Sequence, residues 1–397
     1  MRHLFVLSLL LAWPLWAAAG EREQAKRIHD RLAGVPPTET VLTAMAADIA
    51  GGNAEDAAYT AMENSAFYDV TLKNFVAPWT NEEMSQFVPL NDYTATVIGM
   101  VRDNVDFRKI LYDNILYVAD SSLGLPAYSS SNNDQYEQLE QGGYSLKDNL
   151  VQVSQSSRNG LPAEATAGIM TTRAAAKAFF IAGTNRAMFR FTLLNHLCND
   201  MEQVNDITRP PDRIRQDVSR SPGGDSRIFL NNCVGCHSGM DPMAQAYAYY
   251  DYEYDADNDP TGENGHMVYN TAGMTDPDTG TRVQAKYHIN ASNFEFGYVT
   301  PDDSWDNYWR SGPNRRLGWD AGLSGSGEGA KTMGKELAHS DAFAECQVKK
   351  VFKNVCLRSP VDSTDRSQIA SMVSSFKSSG YNLKQVFAES AVYCMGD

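Results

Sequence analysis

Two cysteines and a histidine near the middle of the chain have the spacing of a covalent haem attachment site. Residues Cys233-Val234-Gly235-Cys236-His237 form a C-x-x-C-H motif, in which each thiol adds across one vinyl group of haem as a thioether. On a helical turn this spacing separates the sulfurs by about one vinyl-to-vinyl span, and His237 then lies beneath the iron as its axial ligand. The motif therefore predicts one haem c, held by Cys233, Cys236 and His237.

Two other kinds of site also use a C-x-x-C sequence. A structural zinc site needs a second Cys/His pair at metal-ligand spacing, and none of the other cysteines forms such a pair. A thioredoxin-like redox pair needs a βαβ setting, which the segment around the motif lacks. Haem attachment is therefore the favoured interpretation.

The N-terminus has the pattern of an export signal. Arg2 and His3 are followed by a mainly apolar stretch of thirteen residues at 4–16 and by an A-x-A sequence at 17–19. This pattern predicts a signal peptide over 1–19, with an uncleaved anchor as the alternative. No later run approaches the roughly 20 apolar residues of a membrane helix, so no membrane span is expected. The predicted location is periplasmic or secreted, where c-type haems are attached.

The composition of the chain limits its partners. The 397 residues include 49 acidic and 34 basic side chains, which gives a formal net charge of −15. This charge argues against nucleic acid as a partner, because binding to phosphates depends on Lys and Arg. It is compatible with a basic redox partner protein steered by complementary charge, and also with simple solubility.

Four cysteines remain outside the haem motif. Cys198, Cys346, Cys356 and Cys394 are an even number in an oxidising compartment, which predicts two disulfides with three possible connectivities. Residues 341–356 have the pattern of one amphipathic helix, on which Cys346 and Cys356 would lie about 15 Å apart. A disulfide needs Cα atoms closer than roughly 7 Å, so these two cysteines are expected to bond elsewhere.

Hydrophobic periodicity predicts a mainly α-helical protein. The helix that carries the haem motif is expected to begin at an N-cap near Asp225 and to end at His237. Helices are predicted at 25–32, 38–49, 54–65, 93–118, 163–200, 227–237, 333–356, 364–378 and 382–393.

Two segments interrupt the helical pattern. Residues 121–165 are polar, and residues 241–330 are rich in Gly, Asp, Asn and Tyr, with short strands expected near 283–289. These changes predict five parts of the chain. They are a signal peptide at 1–19, an N-terminal helical region at 20–120, a polar loop region at 121–165, a haem domain with a long insertion at 166–330 and a C-terminal helical domain at 331–397.

The residues after the haem motif carry a resemblance to a known family. The motif continues through Met240-Asp241-Pro242-Met243 into an aromatic run at 247–254. This stretch resembles the planctomycete-type cytochrome-c-like proteins, which are large secreted mono-haem bacterial proteins, many of unknown function. The resemblance extends to 193–198, to 343–352 and to the N-terminal segment 27–37. It covers roughly 160–260 best and departs across 260–330.

The resemblance implies a fold and a disulfide pairing but no reaction. The implied fold is mainly α, with a cytochrome-c-like haem lobe embedded in a larger helical protein that has long irregular insertions. Because Cys198 and Cys346 both match family positions, the resemblance pairs them with each other. Cys356 and Cys394 would then form the second bridge.

The sixth ligand of the iron would decide what the haem does. A methionine or a second histidine gives a closed electron-transfer site, whereas an open position permits chemistry on small ligands. Met333 is the favoured ligand, because it follows the glycine-rich loop 322–329, and Met274 is the second choice. Packing is the alternative role for each methionine. The alternative ligands are His196, His266, His288 and His339.

The favoured function is an exported mono-haem c-type cytochrome that carries single electrons. The first alternative is a haem enzyme, such as a peroxidase or an oxygenase, with an open iron site. Di-haem peroxidases need two attachment motifs, and this chain has one. The second alternative is a binding protein with a redox haem lobe, in which the insertion at 260–330 would carry recognition.

Overall fold

Helices form most of the structure, a computed structural model that describes residues 19–396. The mainly α prediction is therefore confirmed, while the predicted signal peptide lies outside the described residues except for Ala19. Within 19–396, no helix has the length and apolar character that crossing a membrane requires. The α-helices are α1 (Glu21–Ala33), α2 (Glu39–Ala50), α3 (Ala54–Met62), α4 (Lys73–Val76), α5 (Asp92–Arg102), α6 (Asp134–Gln141), α7 (Leu146–Asn149), α8 (Arg173–Phe179), α9 (Arg186–Leu197), α10 (Ser226–Ile228), α11 (Val234–Ala244), α12 (Gly329–Ala338), α13 (Asp341–Cys356), α14 (Ser363–Ser378) and α15 (Leu383–Tyr393).

The β-structure of the described residues consists of short two-stranded antiparallel ribbons. In the first ribbon Val118 lies opposite Val151, and in the last Trp305 lies opposite Gly327. Each ribbon lies between helices in chain order, and these strands form no sheet larger than two strands. The strands are β1 (Leu116–Ala119), paired with β2 (Leu150–Val153), β3 (Tyr250–Glu253), paired with β4 (His266–Tyr269), and β5 (Ser304–Asp306), paired with β6 (Ser326–Glu328).

Helices α1, α2 and α3 confirm the predictions at 25–32, 38–49 and 54–65. Thr38 caps α2, because its side chain accepts a hydrogen bond from the backbone N–H of Val41. Gly34 ends α1 in the left-handed conformation, with φ of 72°, and its N–H donates to the carbonyl of Asp30. Local capping residues therefore fix these helix ends.

The single long helix predicted at 93–118 is wrong. The chain leaves the helix after α5, because Asn104 takes a left-handed φ of 54°, and it re-forms as strand β1. All four residues of β1 are buried. A fully buried strand has the same continuous apolar sequence as a buried helix, so periodicity alone could not separate the two. At Gly99 a Cβ atom would lie 2.1 Å from the Tyr117 ring, so β1 packs directly on α5.

Three other predicted elements differ from the structure. The predicted helix at 163–200 begins only at Arg173, and it is divided into α8 and α9 by Gly183 and Asn185, which both have positive φ. The predicted helix at 333–356 is divided into α12 and α13 by Ser340, whose side chain accepts from the N–H of Phe343 and caps α13. The strand predicted near 283–289 is instead a short 3-10 turn, Ala285–His288.

The helix of the haem motif begins as predicted and ends later than predicted. Asp225 caps α10 by accepting from the N–H of Arg227. The helical path then continues through a π-helical turn, Phe229–Cys233, into α11, which reaches Ala244. The predicted end at His237 is wrong because every residue from 238 to 244 is buried, so packing holds two further turns in place.

One main hydrophobic core draws residues from all four predicted parts between 20 and 397. Helices α1 and α3 at the N-terminus pack on α15, and α9 packs on both α11 and α13. The polar region 121–165 contributes Tyr136, Leu139 and Leu146 to the same core. The boundaries at 120, 165 and 330 stay predictions.

Two disulfides tie α13 to other parts of the chain. Cys198, which caps the end of α9, is bonded to Cys346 in α13, with a Cα–Cα distance of 5.2 Å. Cys356 at the end of α13 is bonded to Cys394, which follows α15, with a Cα–Cα distance of 5.5 Å. This is the pairing that the family resemblance implies, and residues 341–356 form one helix as predicted.

Candidate haem attachment site

The haem motif presents its three reactive side chains on one face of a helix. Cys233 is the N-cap residue of α11, and Cys236 and His237 follow it by three and four residues. Residues at these spacings share a helix face. All three side chains are partly exposed, whereas Val234, Gly235 and Ser238 between and beside them are buried. Both thiols are unpaired, so they are available on the surface that also carries the imidazole.

A small apolar cluster holds the start of this helix. Phe229 packs with Ile214, Val218 and Val234, and Cys233 lies against the same cluster. The π-helical turn Phe229–Cys233 ends directly at the first motif cysteine. Turns of this kind are rare and occur often at functional sites, because the extra residue changes the direction in which the following side chains point.

His237 is oriented by a carboxylate one helical turn away. Its Nδ1 lies 3.2 Å and 3.3 Å from the two carboxylate oxygens of Asp241. An ionised carboxylate can only accept a hydrogen bond, so Nδ1 carries the proton and donates to Asp241. The Nε2 lone pair is then free to bind a metal.

Asp241 stays ionised although its side chain is fully buried. Burial opposes its ionisation, but the charge of Arg186 and the hydrogen bond from His237 outweigh burial and hold the pKa of Asp241 well below its usual range. Arg186 donates from Nε at 2.7 Å and from Nη2 at 2.9 Å to the two oxygens of Asp241. The same guanidinium also donates to both oxygens of Asp217, at 2.6 Å and 2.9 Å.

The segment before the motif covers its second cysteine. The side-chain amide of Asn205 donates to Sγ of Cys236, and this thiol lies 3.5 Å from the carbonyl of Met201. Burial raises the pKa of Cys236. At Gly235 a Cβ atom would lie 2.3 Å from the Asn205 side chain, so glycine permits this close approach.

Apolar side chains are exposed beside the motif. Ile228 and Leu230 precede Cys233 on the helical path and are 41% and 58% exposed. Phe296, which is 82% exposed, lines with Leu230 a groove of about 360 Å³. Ile207 is 65% exposed and follows Asp206, whose N–H donates to the carbonyl of Gly235. Exposed apolar groups close together indicate a surface that a ligand or partner covers.

These features fit a covalent haem. The motif offers two free thiols and one imidazole with a fixed tautomer, next to apolar surface that a flat porphyrin could cover. A haem supplies four nitrogen donors of its own, so the protein needs to add only axial ligands. Within residues 19–396, no group of three or more His, Cys, Asp or Glu side chains is placed to hold a metal ion by itself.

The two methionines considered for the sixth position have different surroundings. Met333 is fully buried on α12 as part of the main core. Met274 is 49% exposed in the loop after β4, and its sulfur accepts from the N–H of Thr271 at 3.3 Å. Within residues 19–396, no hydrogen bond joins either methionine to Cys233, Cys236 or His237. Met333 as a ligand therefore stays a prediction.

The four histidines considered for this position are dispersed. His196 is buried on α9, where its Nε2 lies 2.9 Å from the Tyr93 hydroxyl, and burial holds its pKa well below the usual range. His266 is on β4, and His288 is in the turn Ala285–His288. His339 follows α12, and its Nδ1 lies 2.8 Å from the carbonyl of Lys335. None of these four histidines is hydrogen-bonded to His237 in the part of the chain that the structure describes.

A tryptophan supports the buried side of α11. At Gly239 a Cβ atom would lie 2.0 Å from Nε1 of Trp309, so the indole rests directly on the helix backbone. Trp309 is fully buried, and its neighbour Trp305 donates to Oγ1 of Thr332 on α12 at 2.8 Å. Helix α11 is therefore held by Arg186 of α9 and by this aromatic segment.

Asp241 contacts the motif histidine, but in the sequence it stands out only through the family resemblance. Its spacing of four residues from His237 is the signal that could have identified it, because residues at i and i+4 on a helix face each other. Arg186 lies 55 residues before Asp241, and no local pattern indicates that pairing.

Comparisons with protein-family models, with curated proteins and with solved structures find no match to this chain. The resemblance to cytochrome-c-like proteins therefore rests only on the sequence segments that carry it.

Proposed function

We propose that this protein is an exported mono-haem c-type cytochrome that carries single electrons. Cys233 and Cys236 would tether the haem as thioethers, and Nε2 of His237 would bind its iron. The observation that carries the proposal is the shared, partly exposed helix face of two free thiols and an imidazole whose other nitrogen is held by Asp241.

The haem would supply a one-electron couple at its iron, and the protein would supply position and environment. Helix α11 would hold the two thiols and the imidazole in one orientation, because its buried side is packed against α9 and Trp309. The exposed apolar residues Ile228, Leu230 and Phe296 would cover part of the porphyrin and exclude water from it. A cytochrome-c-like haem lobe of this kind is part of the proposal.

The proposed compartment is the periplasm or the exterior of the cell. Disulfides persist in oxidising compartments, and this chain forms two of them. The signal-peptide pattern at 1–19 supports the same location. The net charge of −15 suits a basic redox partner.

A haem enzyme is the second candidate, and one observation favours it. A carboxylate that accepts from Nδ1 makes an imidazole a stronger electron donor to the metal than a carbonyl acceptor does. The Asp241 carboxylate is placed in this way. A strong axial donor combined with an open sixth position would suit a peroxidase-like activity.

The sixth ligand separates the two candidates. Met333 is the proposed ligand and Met274 is its alternative. Binding through Met333 would require α12 to release a fully buried side chain, whereas the side chain of Met274 is already half exposed in a loop. A methionine in this position would raise the reduction potential and close the site, as electron transfer requires.

The test uses the full chain matured in cells that attach c-type haem. We expect a reversible one-electron titration and, in the ferric state, the weak far-red absorption of a sulfur–iron bond. Met333→Ala should remove this band, and Met274→Ala is the matched control. A band lost only in Met274→Ala would move the ligand to the loop. A high-spin ferric spectrum with rapid cyanide binding would overturn electron transfer in favour of the enzyme.

A further inference from the structure

We infer that Asp241 is a positioning residue that makes His237 a strong donor to the iron, and that Arg186 and Asp217 hold Asp241 in place for this role. The inference rests on the proposed function, because it concerns the axial ligand of the same haem. It adds to that function the residues that set the strength of the ligand.

The carboxylate of Asp241 contacts His237 at a single ring atom, Nδ1. Both oxygens of the carboxylate lie within 3.3 Å of Nδ1, and the two residues are one turn apart on α11. The hydrogen bond is formed within a single rigid helix, so it does not depend on the movement of a loop. The ring is thereby fixed with Nε2 toward the partly exposed face of the helix.

Arg186 restricts the carboxylate from the other side. Its Nε and Nη2 donate to the carboxylate of Asp241. Its Nη1 and Nη2 donate to the carboxylate of Asp217. Bidentate guanidinium–carboxylate pairs fix orientation as well as charge. Arg186 is the first residue of α9, so the position of His237 is tied to the packing of α9 on α11.

A second arginine completes the cluster. The backbone N–H of Arg215 points to Asp241 at 3.5 Å, and its guanidinium donates to Oγ1 of Thr184 at 2.7 Å. Its side chain is 3% exposed and lies over the Tyr287 ring at 4.6 Å. Asp217 and Asp241 are thus balanced by Arg186 and Arg215.

Of these four charges, the carboxylate of Asp241 is the one in direct contact with His237, and it is shielded from water. Asp241 is fully buried and Asp217 is 7% exposed. Buried charges act more strongly on their neighbours than exposed charges do, because less solvent screens them. A carboxylate beside the ligand therefore increases the electron density on Nε2 and favours ferric over ferrous iron.

The test compares haem-loaded wild type with Asp241→Asn, which keeps the shape and removes the charge. Mutation of the residue that accepts a hydrogen bond from a ligating histidine typically changes metal affinity by about tenfold to a hundredfold. A change of that size in the preference for ferric over ferrous iron would raise the potential by roughly 59 to 118 mV. In the Met333→Ala background, which leaves the sixth position open to carbon monoxide, Asp241→Asn should also lower the iron–histidine stretching frequency in the resonance Raman spectrum of the photolysed carbon monoxide form.

Two further variants keep the inference testable if Asp241→Asn does not fold. Arg186→Lys retains a positive charge but loses the bidentate contacts, so it should raise the potential by a smaller amount. Arg190→Lys is the matched control. Arg190 lies one turn further along α9 and pairs with Asp200 in the same bidentate way at the surface, so its change should leave the potential unaltered.

The outcomes separate this inference from the proposed function. Haem-loaded Asp241→Asn with an unchanged potential and an unchanged stretching frequency would overturn the role of Asp241 and leave the cytochrome intact. An equal shift in Arg186→Lys and Arg190→Lys would overturn the role of the buried cluster. A wild-type chain that acquires no haem would overturn both proposals.

Discussion

The haem motif at the start of α11 and helix α13 each hold two cysteines, and the surroundings of the two pairs differ. Cys233 and Cys236 are three residues apart, partly exposed and unpaired. Cys346 and Cys356 are ten residues apart on α13, buried, and bonded to different partners. Spacing on the helix therefore separates the roles. Cysteines on one exposed face can share a ligand, whereas cysteines ten residues apart on a buried helix join it to two different neighbours.

The acidic residues of the two regions differ in the same way. Asp365, in the first turn of α14, accepts from Arg358, from the N–H of Val361 and from the Tyr393 hydroxyl, which lowers its pKa. Asp303, beside β5, is 8% exposed, and burial raises its pKa to about 6 despite the charge of Arg282. The C-terminal helices thus stabilise the ionised form of Asp365 with hydrogen bonds and a positive charge. In the irregular region after α11, burial instead favours the protonated form of Asp303.

Removal of the disulfides should have the largest effect on stability. The bridges close loops of 148 and 38 residues, and chain entropy predicts losses of about 5 and about 4 kcal/mol in the free energy of unfolding. The paired variants are Cys198→Ser with Cys346→Ser and Cys356→Ser with Cys394→Ser, compared by urea denaturation. In haem-free protein, serine at both 233 and 236 should cost less than about 1 kcal/mol. A larger loss there would contradict the distinction between the two pairs.

Asp303 should give the next largest effect, and its sign depends on pH. Its carboxyl binds a proton more tightly in the folded protein, so the free energy of unfolding should fall as pH rises from about 4 to about 6. Above pH 6, Asp303→Asn should be more stable than wild type by about 3 kcal/mol. Denaturation at pH 4, 6 and 8 measures this difference, with the exposed Asp278→Asn as control.

Asp365 should show the opposite sign in the same experiment. Its pKa is lowered in the folded protein, chiefly by the hydrogen bond from Arg358, so its contribution is present above about pH 4 and is lost as pH falls further. Asp365→Asn should therefore destabilise the protein at neutral pH. Equal pH profiles for the variants at 303 and 365 would contradict the contrast between the two regions.

A smaller effect is expected where α11 meets Trp309. Gly239→Ala would place a methyl group 2.0 Å from the indole nitrogen, and such overpacking should cost about 2 kcal/mol. Tryptophan fluorescence should change together with stability, because Trp309 must move. Gly322→Ala is the control, since its Cβ would meet only the flexible side chain of Asp320. A neutral Gly239→Ala would show that α11 is held less tightly than its burial indicates.

Local sequence predicted part of the fold and of the site. The haem motif, the single helix at 341–356 and the cap at Asp225 depend on neighbouring residues, so they were visible without the structure. The strand β1 was not, because burial on both faces gives it the apolar run of a helix. The contact between Arg186 and Asp241 also could not be predicted, since only the packing of α9 on α11 brings them together.

The most direct measurement is the intact mass of the chain after expression with and without a cytochrome c maturation system. We expect an increase of one haem per chain, attached to the peptide that contains Cys233 and Cys236. The variant with serine at both 233 and 236 should lose this increase, and the variant with serine at both 356 and 394 should keep it. A wild-type chain without added mass in cells that mature other cytochromes, or haem retained by the variant at 233 and 236, would contradict the assignment of the site.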